Sequence, residues 1–188
     1  MELILARHGE PACNTEEWLA RDCPLTELGR KQAERLGKWL ASNYCITAFY
    51  ASPMQRARET AEIVNRELGL NIIFDEDLQE ADPSYRTAMP TQESPFSPSQ
   101  CNGKGCKTVY EEFRQRVKKV VKKIITTNPN GTVLIVAHAG TLGTMIRCLL
   151  GLHTVSIDMD YTGLHHLVWS DKRWEIRYIN RREHLISL

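Results

Sequence analysis

The sequence has no excess of charge of either sign and no long apolar run. Its 188 residues include 24 basic and 23 acidic side chains, which gives a formal net charge of +1. A balance this even gives no reason to expect nucleic acid or an anionic membrane as a partner. No stretch approaches the roughly 18 consecutive apolar residues of a membrane-spanning helix, and acidic Glu2 stands where a signal peptide would be basic. We therefore expect a soluble, cytoplasmic protein.

Cysteine pairs at metal-binding spacing are also missing. No CxxC motif occurs, so the sequence supports neither a zinc site nor a secreted disulfide framework. The one close pair is Cys101 and Cys106 in "CNGKGC", which could bridge a loop under oxidising conditions or stay as two thiols. The other cysteines are Cys13, Cys23, Cys45 and Cys148.

Apolar strands and amphipathic helices alternate along the chain. Short apolar runs at residues 2–6 and 132–137 are bounded by turn-forming residues, which is typical of strands buried on both faces. Segments with helical spacing lie between them. This alternation predicts an α/β fold, a three-layer sandwich with a mostly parallel central sheet flanked by helices. The length fits a single domain over residues 1–188.

The individual elements are predicted from spacing and from turn signals. Thr26 is the expected cap of a helix in "LTELGRKQAERLGKWLAS", whose apolar positions include Leu28. Pro53 is expected in the first turn of a second helix, "PMQRARETAEIVNREL". The other predicted elements are the strands "ITAFYAS" and "NIIF", helices over residues 109–125 and 141–150, and a terminal hairpin of "GLHHLVWS" and "RWEIRYIN".

Residues 81–107 break the alternation. This segment holds four of the eight prolines and shows little apolar periodicity. A loop of this length inside a compact domain is usually functional or disordered. We interpret it as an insertion that covers the functional site.

Two segments share one pattern, an apolar strand that ends at a histidine close to a glycine. They are "LILARHGE", residues 3–10, and "VLIVAHAG", residues 133–140. Ligands of open α/β sheets bind at the carboxyl ends of the strands, and glycine allows the chain to turn sharply there. A single histidine at such a place is more often structural. Two at equivalent strand ends, His8 beside Arg7 and His138, predict a shared site.

Arg7 indicates the chemistry of that site. Its guanidinium stays charged and offers a planar fork suited to phosphate or carboxylate. A buried strand end tolerates this charge only with an anionic partner. Nearby cations disfavour the imidazolium, which lowers the pKa of His8 and leaves one ring nitrogen with a free lone pair at neutral pH. A neutral imidazole among arginines can attack a phosphoryl group.

These residues resemble a known family. The segment "ARHGEPACN" resembles the phosphate-binding opening of the histidine phosphatase superfamily, also called phosphoglycerate mutase-like. In chain order, other segments resemble that family's first helix, second arginine motif, acid strand, second histidine motif and usual end. They are "DCPLTELGRKQAERL", "ASPMQRARETAEIV", "DEDLQE", "VLIVAHAGTLGTMIRCLLGL" and "REHL". The resemblance covers nearly the whole chain, in order.

The resemblance implies roles for particular residues. His8 would accept the phosphoryl group and form a phosphohistidine. Arg7, Arg56 and His138 would hold the phosphoryl oxygens and stabilise the charge during transfer. Asn14 matches the asparagine that ends the family's first motif, and it would donate to the phosphate. No metal and no cofactor is implied, because guanidinium groups neutralise the charge.

An acid is also implied. Glu80 would protonate the leaving oxygen and then help to activate water, which requires a carboxyl that holds a proton near neutral pH. Partial burial under the insertion could provide that environment. Alternatives stay open, because Arg56 could be a helix-surface charge, Glu80 one of several acids in its segment, and Asn14 the cap of a turn. Residues predicted to be structural are Glu10, His165 and His166.

The sequence therefore predicts a phosphoric monoester hydrolase of the histidine acid phosphatase type that acts on a small phosphorylated metabolite. One alternative is a mutase, but family mutases generally carry extra arginines in an insertion, and residues 81–107 hold only Arg86. Another alternative is a non-catalytic module that binds phosphorylated ligands or proteins. The identity of the substrate and the oligomeric state are open, with a dimer as one option.

Overall fold

The computed structural model describes residues 1–13, 22–94 and 109–186. Six strands and four α-helices occur within these ranges. The strands are β1 (Glu2–Arg7), β2 (Ala48–Ala51), β3 (Ile72–Phe74), β4 (Thr132–Ala137), β5 (Leu164–Ser170) and β6 (Arg173–Arg181). The helices are α1 (Glu27–Asn43), α2 (Gln55–Leu68), α3 (Val109–Thr127) and α4 (Ala139–Leu150).

The strands form one mixed sheet in the order β3-β2-β4-β1-β5-β6. Strands β3, β2, β4 and β1 pair in parallel, whereas β5 is antiparallel to β1 and β6 is antiparallel to β5. Parallel neighbours need crossover connections, which the helices between them supply. The predicted α/β fold with a mostly parallel central sheet flanked by helices is confirmed.

The sheet separates two hydrophobic cores. Successive strand residues face opposite sides of a sheet, so β1 sends Leu3 and Leu5 to one core and Ile4 and Ala6 to the other. Helices α3 and α4 cover the first face, and α1 and α2 cover the second. Each fully buried aliphatic side chain contributes about 1.5–3 kcal/mol, so both faces hold the strands in place. Within the described ranges, no helix is both long and apolar enough to cross a membrane.

The register brings three strand ends to one edge of the sheet. The last residues of β1 and β4 lie opposite each other, and β2 ends opposite the penultimate residue of β4. The residues that follow these strands are His8, Ser52 and His138. The fold therefore places both predicted histidines at the same edge.

Helix α1 begins as predicted but buries a different stripe. Thr26 is its N-cap, and the Thr26 hydroxyl oxygen accepts a hydrogen bond from the Gly29 backbone N–H at 2.9 Å. The interpretation of Leu28 as a core position is wrong, since this side chain is 44% exposed. The buried stripe of α1 includes Gly29, Ala33 and Leu36. Residues four positions apart lie on the same face of a helix, and the residue four positions before Ala33 is Gly29, not Leu28.

Helix α2 starts later than predicted. Its first residue is Gln55 and its N-cap is Met54. Pro53 therefore precedes the helix and does not lie in its first turn. A proline tolerates both places, because it has no backbone N–H to leave unpaired.

The segment "DEDLQE", which resembles an acid strand, is not a strand. Strand β3 ends before it, and Glu76–Leu78 form a 3-10 helix. The Asp75 carboxylate accepts the backbone N–H of Asp77 at 3.0 Å and caps this turn. Short acidic side chains compete with strand pairing in this way.

The terminal hairpin is confirmed. Asp171 and Lys172 connect β5 to β6, and both have positive φ, 48° and 61°. A two-residue turn of this kind matches the twist of the strands. His165 and His166 are both buried in β5, where the Asn180 backbone N–H donates to His165 Nδ1 at 3.3 Å. His166 Nε2 lies 2.9 Å from a carboxylate oxygen of Glu2, so both histidines have structural partners.

Cys13 and Cys23 form a disulfide, with their Cα atoms 6.1 Å apart. The expectation that the cysteines build no disulfide framework missed this bond. The two residues are ten positions apart, and a β-bridge between Pro11 and Leu25 brings their segments together. The close pair in "CNGKGC" lies outside the described residues.

Candidate active site

The candidate site lies at the carboxyl edge of the sheet. His8 follows β1, and His138 follows β4 as the N-cap of α4. The centroids of the two imidazole rings are 5.1 Å apart. His8 is 1% exposed and His138 is fully buried. The structure thus brings together the two strand-end histidines that the sequence pattern pairs.

The hydrogen bonds of His8 select one tautomer. Nδ1 of His8 lies 2.7 Å from the carbonyl oxygen of Gly9, and a carbonyl oxygen can only accept, so Nδ1 carries the ring proton. Nε2 therefore keeps its lone pair, and the Nε–H of Arg56 donates to it at 3.2 Å. The imidazole is held with an unprotonated nitrogen directed at a guanidinium.

The surroundings of His8 also keep the ring neutral. Burial lowers the pKa of His8 well below its ordinary value of 6.5, and the charges of Arg7 and then Arg56 lower it further. The sequence predicts a shift caused by the neighbouring cations. Burial is the larger cause, because desolvation penalises the imidazolium itself. At pH 7 the lone pair on Nε2 is available.

Arg56 belongs to the site and not to the helix surface. Its side chain is 1% exposed, although it comes from the first turn of α2. Burial lowers the pKa of Arg56, which reflects the cost of keeping a charge out of water. Arg58 is the surface residue of the pair, since its guanidinium lies 3.9 Å above the Phe74 ring and its side chain is 42% exposed.

Arg7 is fixed by neutral groups. Its Nη1 donates to the carbonyl oxygen of Met159 at 2.7 Å. Its Cζ lies 4.1 Å from the centroid of the Tyr161 ring, a cation–π geometry. These contacts orient the guanidinium through neutral partners.

His138 is oriented by Ser52. The Ser52 Oγ accepts the backbone N–H of Met54 at 3.3 Å and lies 2.8 Å from His138 Nε2. The Ser52 hydroxyl can therefore donate to Nε2, which leaves the ring proton of His138 on Nδ1. Burial, followed by the proximity of His8, lowers the pKa of His138 well below 6.5. This ring is a neutral donor.

Three buried nitrogens at this edge have no hydrogen-bond partner among the described residues: Arg7 Nε, Arg56 Nη1 and His138 Nδ1. Buried polar atoms are normally paired, so each exception calls for an explanation. The three belong to side chains that surround His8. Their common requirement is an acceptor with several oxygens, and a phosphoryl group meets it. We call Arg7, His8, Arg56 and His138 the phosphate end of the site.

Glu80 lies at the N-terminus of α4, where its carboxylate caps the helix. One oxygen, Oε1, accepts the backbone N–H groups of Ala81 and Thr141, both at 3.1 Å. The other oxygen, Oε2, accepts the N–H of Gly140 at 3.0 Å. A carboxylate at a helix N-terminus also interacts favourably with the helix dipole. Glu80 therefore has a structural role in addition to the predicted chemical one.

Gly140 explains why a glycine stands two residues after His138. A Cβ atom on Gly140 would lie 2.6 Å from Glu80 Oε1 and 2.7 Å from the hydroxyl oxygen of Tyr85. Both distances are shorter than van der Waals contact. Only a residue without a side chain allows the acid to approach the helix so closely.

The described part of the insertion, residues 81–94, lies beside the site. It contains a 3-10 helix, Pro83–Tyr85, and the ring of Tyr85 packs on Phe113 of α3 with centroids 5.0 Å apart. Residues 95–107 and Asn14 lie outside the described residues, so the role of Asn14 stays a prediction. Glu10 braces the loop after β1, because its Oε1 accepts the hydroxyl of Thr26 at 2.8 Å.

Sequence reasoning missed two residues at the phosphate end. Ser52 stands at the end of the third parallel strand, so its position carried a signal of the same kind as His8 and His138. Asp22 lies 3.9 Å from Arg56 Nη1 and partly balances the buried charge. Nothing in the local pattern around Asp22 distinguishes it from a loop acid.

A cavity of about 550 Å³ adjoins the phosphate end through Arg7, which lines it. Ala139, the residue after His138, and Tyr161, whose ring centroid is 5.9 Å from that of His8, line it as well. Among the residues that the structure describes, no three His, Cys, Asp or Glu side chains are placed to hold a metal ion. The nitrogens of Arg7, Arg56 and His138 can donate to a phosphoryl group, and His8 Nε2 can present a nucleophilic lone pair to it.

Relatives of this chain carry names from phosphoryl-transfer chemistry. An uncharacterized phosphatase of Bacillus subtilis, PhoE, is 28% identical over 187 residues, which cover 97% of this chain and 96% of that protein. A probable phosphoglycerate mutase of Citrobacter koseri, GpmB, is 28% identical over 164 residues, 81% of this chain and 76% of that protein. The solved structure of YhfR from Bacillus stearothermophilus has a TM-score of 0.75 at 27% identity and covers 97% of this chain and 98% of that chain.

The match to the family itself extends over residues 3–182 and includes both strand-end histidines, Arg56 and Glu80. The sequence resemblance, the fold and this match agree with one another. The chain therefore belongs to the histidine phosphatase superfamily (branch 1).

Proposed function

We propose that the protein hydrolyses a small phosphorylated metabolite in the cytoplasm, as a phosphoric monoester hydrolase of the histidine acid phosphatase type. The observation that carries this proposal is the buried, neutral imidazole of His8, whose Nε2 keeps its lone pair beside Arg56. Membership of the superfamily and the phosphatase name of the Bacillus subtilis relative support the same reaction.

In the first step, Nε2 of His8 attacks phosphorus, and a P–N bond forms while the P–O bond to the leaving group breaks. Arg7, Arg56 and His138 donate to the phosphoryl oxygens, which stabilises the charge of the transition state. A phosphoryl oxygen replaces Nε2 as the acceptor of the Arg56 Nε–H. The Gly9 carbonyl accepts the Nδ1–H bond and so stabilises the positive charge that the ring acquires.

Glu80 acts as the acid and then as the base. Within the described residues, its Oε2 accepts one backbone N–H, that of Gly140, and a second lone pair on this oxygen can take a proton. The protonated carboxyl gives this proton to the leaving oxygen, and the alcohol departs. The carboxylate then takes a proton from water as the water oxygen attacks phosphorus. The P–N bond breaks, its electron pair returns to His8, and inorganic phosphate leaves.

A mutase is the second candidate, since one relative is named a probable phosphoglycerate mutase. Both reactions share the phosphohistidine and differ in the acceptor, which is water in one and a bound intermediate in the other. If the protein, primed by the bisphosphate, converts 3-phosphoglycerate to its isomer and releases no phosphate, it catalyses the mutase reaction and not hydrolysis.

The proposed function is tested by hydrolysis of p-nitrophenyl phosphate in the presence of EDTA, with wild type and His8→Ala side by side. We expect activity in EDTA and a loss of about 10⁴-fold or more in kcat on removal of the nucleophile. Activity that survives His8→Ala would reject the nucleophile, and activity lost in EDTA would reveal a metal enzyme. Absence of activity in wild type on a broad panel of phosphomonoesters would favour the non-catalytic module.

A further inference from the structure

Two residues with an unfavourable backbone conformation lie close to the phosphate end. Within the described ranges, four residues other than glycine have a positive φ. Asp171 and Lys172 form the hairpin turn between β5 and β6, which requires this conformation. Thr162 and Asn180, with φ of 54° and 53°, lie outside that hairpin turn. Such a conformation costs a β-branched residue free energy, and strain of this kind is often found at functional sites.

Thr162 is the third residue of a β-turn, residues 160–163, in which the Gly163 N–H donates to the Asp160 carbonyl oxygen at 2.9 Å. We call these four residues the 160–163 turn. Glycine or asparagine usually stands at a third turn position with positive φ. Thr162 is fully buried instead, and its Oγ1 lies 3.0 Å from His184 Nε2, in the segment after β6. The threonine side chain therefore links the turn to a distant part of the chain.

The 160–163 turn is bonded to the backbone of the phosphate end. The Thr162 N–H donates to the carbonyl oxygen of His8 at 3.3 Å. The Arg7 N–H donates to the carbonyl oxygen of Gly163, also at 3.3 Å. Backbone hydrogen bonds therefore set the position of the turn relative to both residues.

Asn180 fixes the same turn from β6. Its Oδ1 accepts the backbone N–H of Asp160, and its Nδ2 donates to Asp160 Oδ2, both at 2.9 Å. The Asp160 carboxylate also pairs with Arg182, whose Nε lies 3.2 Å from Oδ2. A Cβ atom on Gly163 would overlap Asn180 Oδ1, so the amide and the turn are in close contact. Thr162 and Asn180, the two strained residues, thus act on one turn.

The 160–163 turn presents Tyr161 to Arg7. The Arg7 Cζ lies 4.1 Å from the centroid of the Tyr161 ring, and Arg7 Nη1 donates to the carbonyl oxygen of Met159, the residue before the turn, at 2.7 Å. The Tyr161 ring centroid is 5.9 Å from that of His8. Burial lowers the pKa of Arg7, and Tyr161 is the group that most opposes this shift.

An aromatic ring is suited to hold a guanidinium that must also bind phosphate. The ring contacts the flat face of the cation, whereas the N–H donors lie in the plane of the guanidinium and stay available. An acid in the same place would bind those donors and compete with the phosphoryl group. The acid of the turn, Asp160, is bonded to Asn180 and Arg182, and Arg7 Nε has no hydrogen-bond partner among the described residues.

We propose that Tyr161 is a positioning residue for Arg7, and that the 160–163 turn holds its ring against one face of the guanidinium while the in-plane N–H groups bind the phosphoryl oxygens. The inference rests on the proposed function. Tyr161 forms and breaks no bond in the reaction and acts through Arg7. The strained conformation of Thr162 is the structural cost of placing the ring there.

Two substitutions separate the ring of Tyr161 from its hydroxyl. Tyr161→Leu removes the ring, so kcat/KM for p-nitrophenyl phosphate should fall about 10-fold, because Arg7 loses its fixed orientation. Tyr161→Phe keeps the ring and should lose no more than about 2-fold. Steady-state release of nitrophenolate measures both. A wild-type kcat/KM in Tyr161→Leu, or an equal loss in Tyr161→Phe, would contradict the role of the ring.

A double-mutant cycle shows whether Tyr161 acts through Arg7. Tyr161→Leu is combined with Arg7→Gln, and kcat/KM of the double variant is compared with that of each single variant. Because the double variant has no guanidinium for the ring to hold, Tyr161→Leu should cause no further loss in it. A further loss of about 10-fold in the Arg7→Gln background would mean that Tyr161 acts on another group, and the inference would be wrong.

The turn itself is tested by Asn180→Gly, with Lys172→Gly as the matched control. Both substitutions place glycine at a position with positive φ, which glycine adopts readily. Asn180→Gly in addition removes the two side-chain bonds to Asp160. It should lower kcat/KM about 3- to 10-fold, whereas Lys172→Gly should leave kcat/KM unchanged. Equal kcat/KM in the two variants, both shown to be folded by urea denaturation, would contradict the role of the turn.

The outcomes separate this inference from the proposed function. If p-nitrophenyl phosphate is hydrolysed with dependence on His8 and Tyr161→Leu keeps the wild-type kcat/KM, only this inference is wrong. If no His8-dependent hydrolysis occurs on any substrate, the proposed function is wrong. Binding of inorganic phosphate, measured by isothermal titration calorimetry, then still tests Tyr161. A weaker affinity in Tyr161→Leu would support its action on Arg7, and an unchanged affinity would reject it.

Discussion

The phosphate end of the site and the distal wall, the part of the adjoining cavity that Arg86, Arg147 and Asp158 line, are built differently. At the phosphate end, His8 and His138 directly follow neighbouring strands, and Arg56 comes from the first turn of a helix that follows a third strand. On the distal wall, Arg147 comes from the last turn of α4, whereas Arg86 and Asp158 lie in connections outside the strands and helices. The first region is fixed by the hydrogen-bonded sheet, and two of the three residues of the second depend on how loops fold over it.

This difference indicates which region determines phosphoryl transfer and which determines substrate selection. Groups that transfer a phosphoryl unit must keep one geometry, and the ends of buried strands provide it. Loops vary at little cost to the fold, so substrate selection is commonly found on them. We therefore expect changes at the phosphate end to affect every substrate, and changes on the distal wall to affect some substrates and not others.

The largest expected effect beyond His8 itself is at Arg56. Arg56→Ala removes a buried donor to the phosphoryl oxygens and should lower kcat by about 10³-fold for every phosphomonoester. Arg58→Ala is the matched control, because it removes a guanidinium two residues away that lies on the surface over Phe74. Steady-state kinetics on several substrates measure both. Equal, small losses in the two variants would place Arg56 outside the reaction.

Glu80 offers a smaller and more selective effect. Glu80→Gln removes the proton donor, so hydrolysis of alkyl phosphates should fall by about 10²-fold or more, because an alkoxide is a poor leaving group. In kcat/KM, which reports the first step and not the later attack of water, p-nitrophenyl phosphate should lose much less, since nitrophenolate leaves without a proton. If both substrates lose the same factor, Glu80 serves only as the cap of α4, and thermal unfolding would report the loss of that cap.

The disulfide joins the rim of the cavity to the segment that carries Asp22. Reduction or the substitution Cys23→Ser removes a bond between two residues that are ten positions apart. Because the unfolded chain then gains conformational freedom, the free energy of unfolding should fall by about 2–3 kcal/mol. Urea denaturation with and without dithiothreitol measures this change, with Cys45→Ser as the control for a free thiol. A reducing cytoplasm would keep the two thiols unpaired. If stability is unchanged after reduction in the urea experiment, the bond contributes nothing to the fold.

A last expected effect is a pH dependence of stability that both regions of the fold share. Burial lowers the pKa of His8 and His138 well below 6.5 and that of His165 and His184 to about 4. Below pH 6.5 these histidines bind protons in the unfolded chain but stay neutral in the folded chain. The free energy of unfolding therefore falls as the pH drops from about 6.5 toward 4.

Urea midpoints between pH 7.5 and 5 measure this slope before the carboxylates titrate. His184→Gln should make the slope shallower, because it removes one of the histidines that folding keeps neutral. A midpoint that does not move over this range would mean that these rings gain protons in the folded protein.

The chemistry of the phosphate end was predictable because it depends on local patterns. Apolar runs that end at His8 and His138 define strand ends, and parallel strands bring such ends together. The sheet, its two covered faces and the terminal hairpin followed from the same periodicities. Arg56 needed the resemblance to the family, since a guanidinium in a first helical turn otherwise looks like a surface charge.

The remaining features depend on contacts between distant segments. The Cys13–Cys23 bond follows from a bridge at Pro11, and the exposure of Leu28 follows from which stripe of α1 meets the sheet. Buried Arg147 donates to the Val155 carbonyl oxygen, which lies in the chain that follows α4. No periodicity within a segment reports such contacts.

The central claim is that His8 Nε2 carries the phosphoryl group between the two steps. The most direct measurement is to quench the enzyme in alkali during turnover of p-nitrophenyl phosphate and to locate the modification by peptide mass spectrometry. The account predicts one added phosphoryl group on the peptide that contains His8, and none in His8→Asn. A phosphoryl group on a different side chain, or the same modified peptide in the His8→Asn protein, would contradict it.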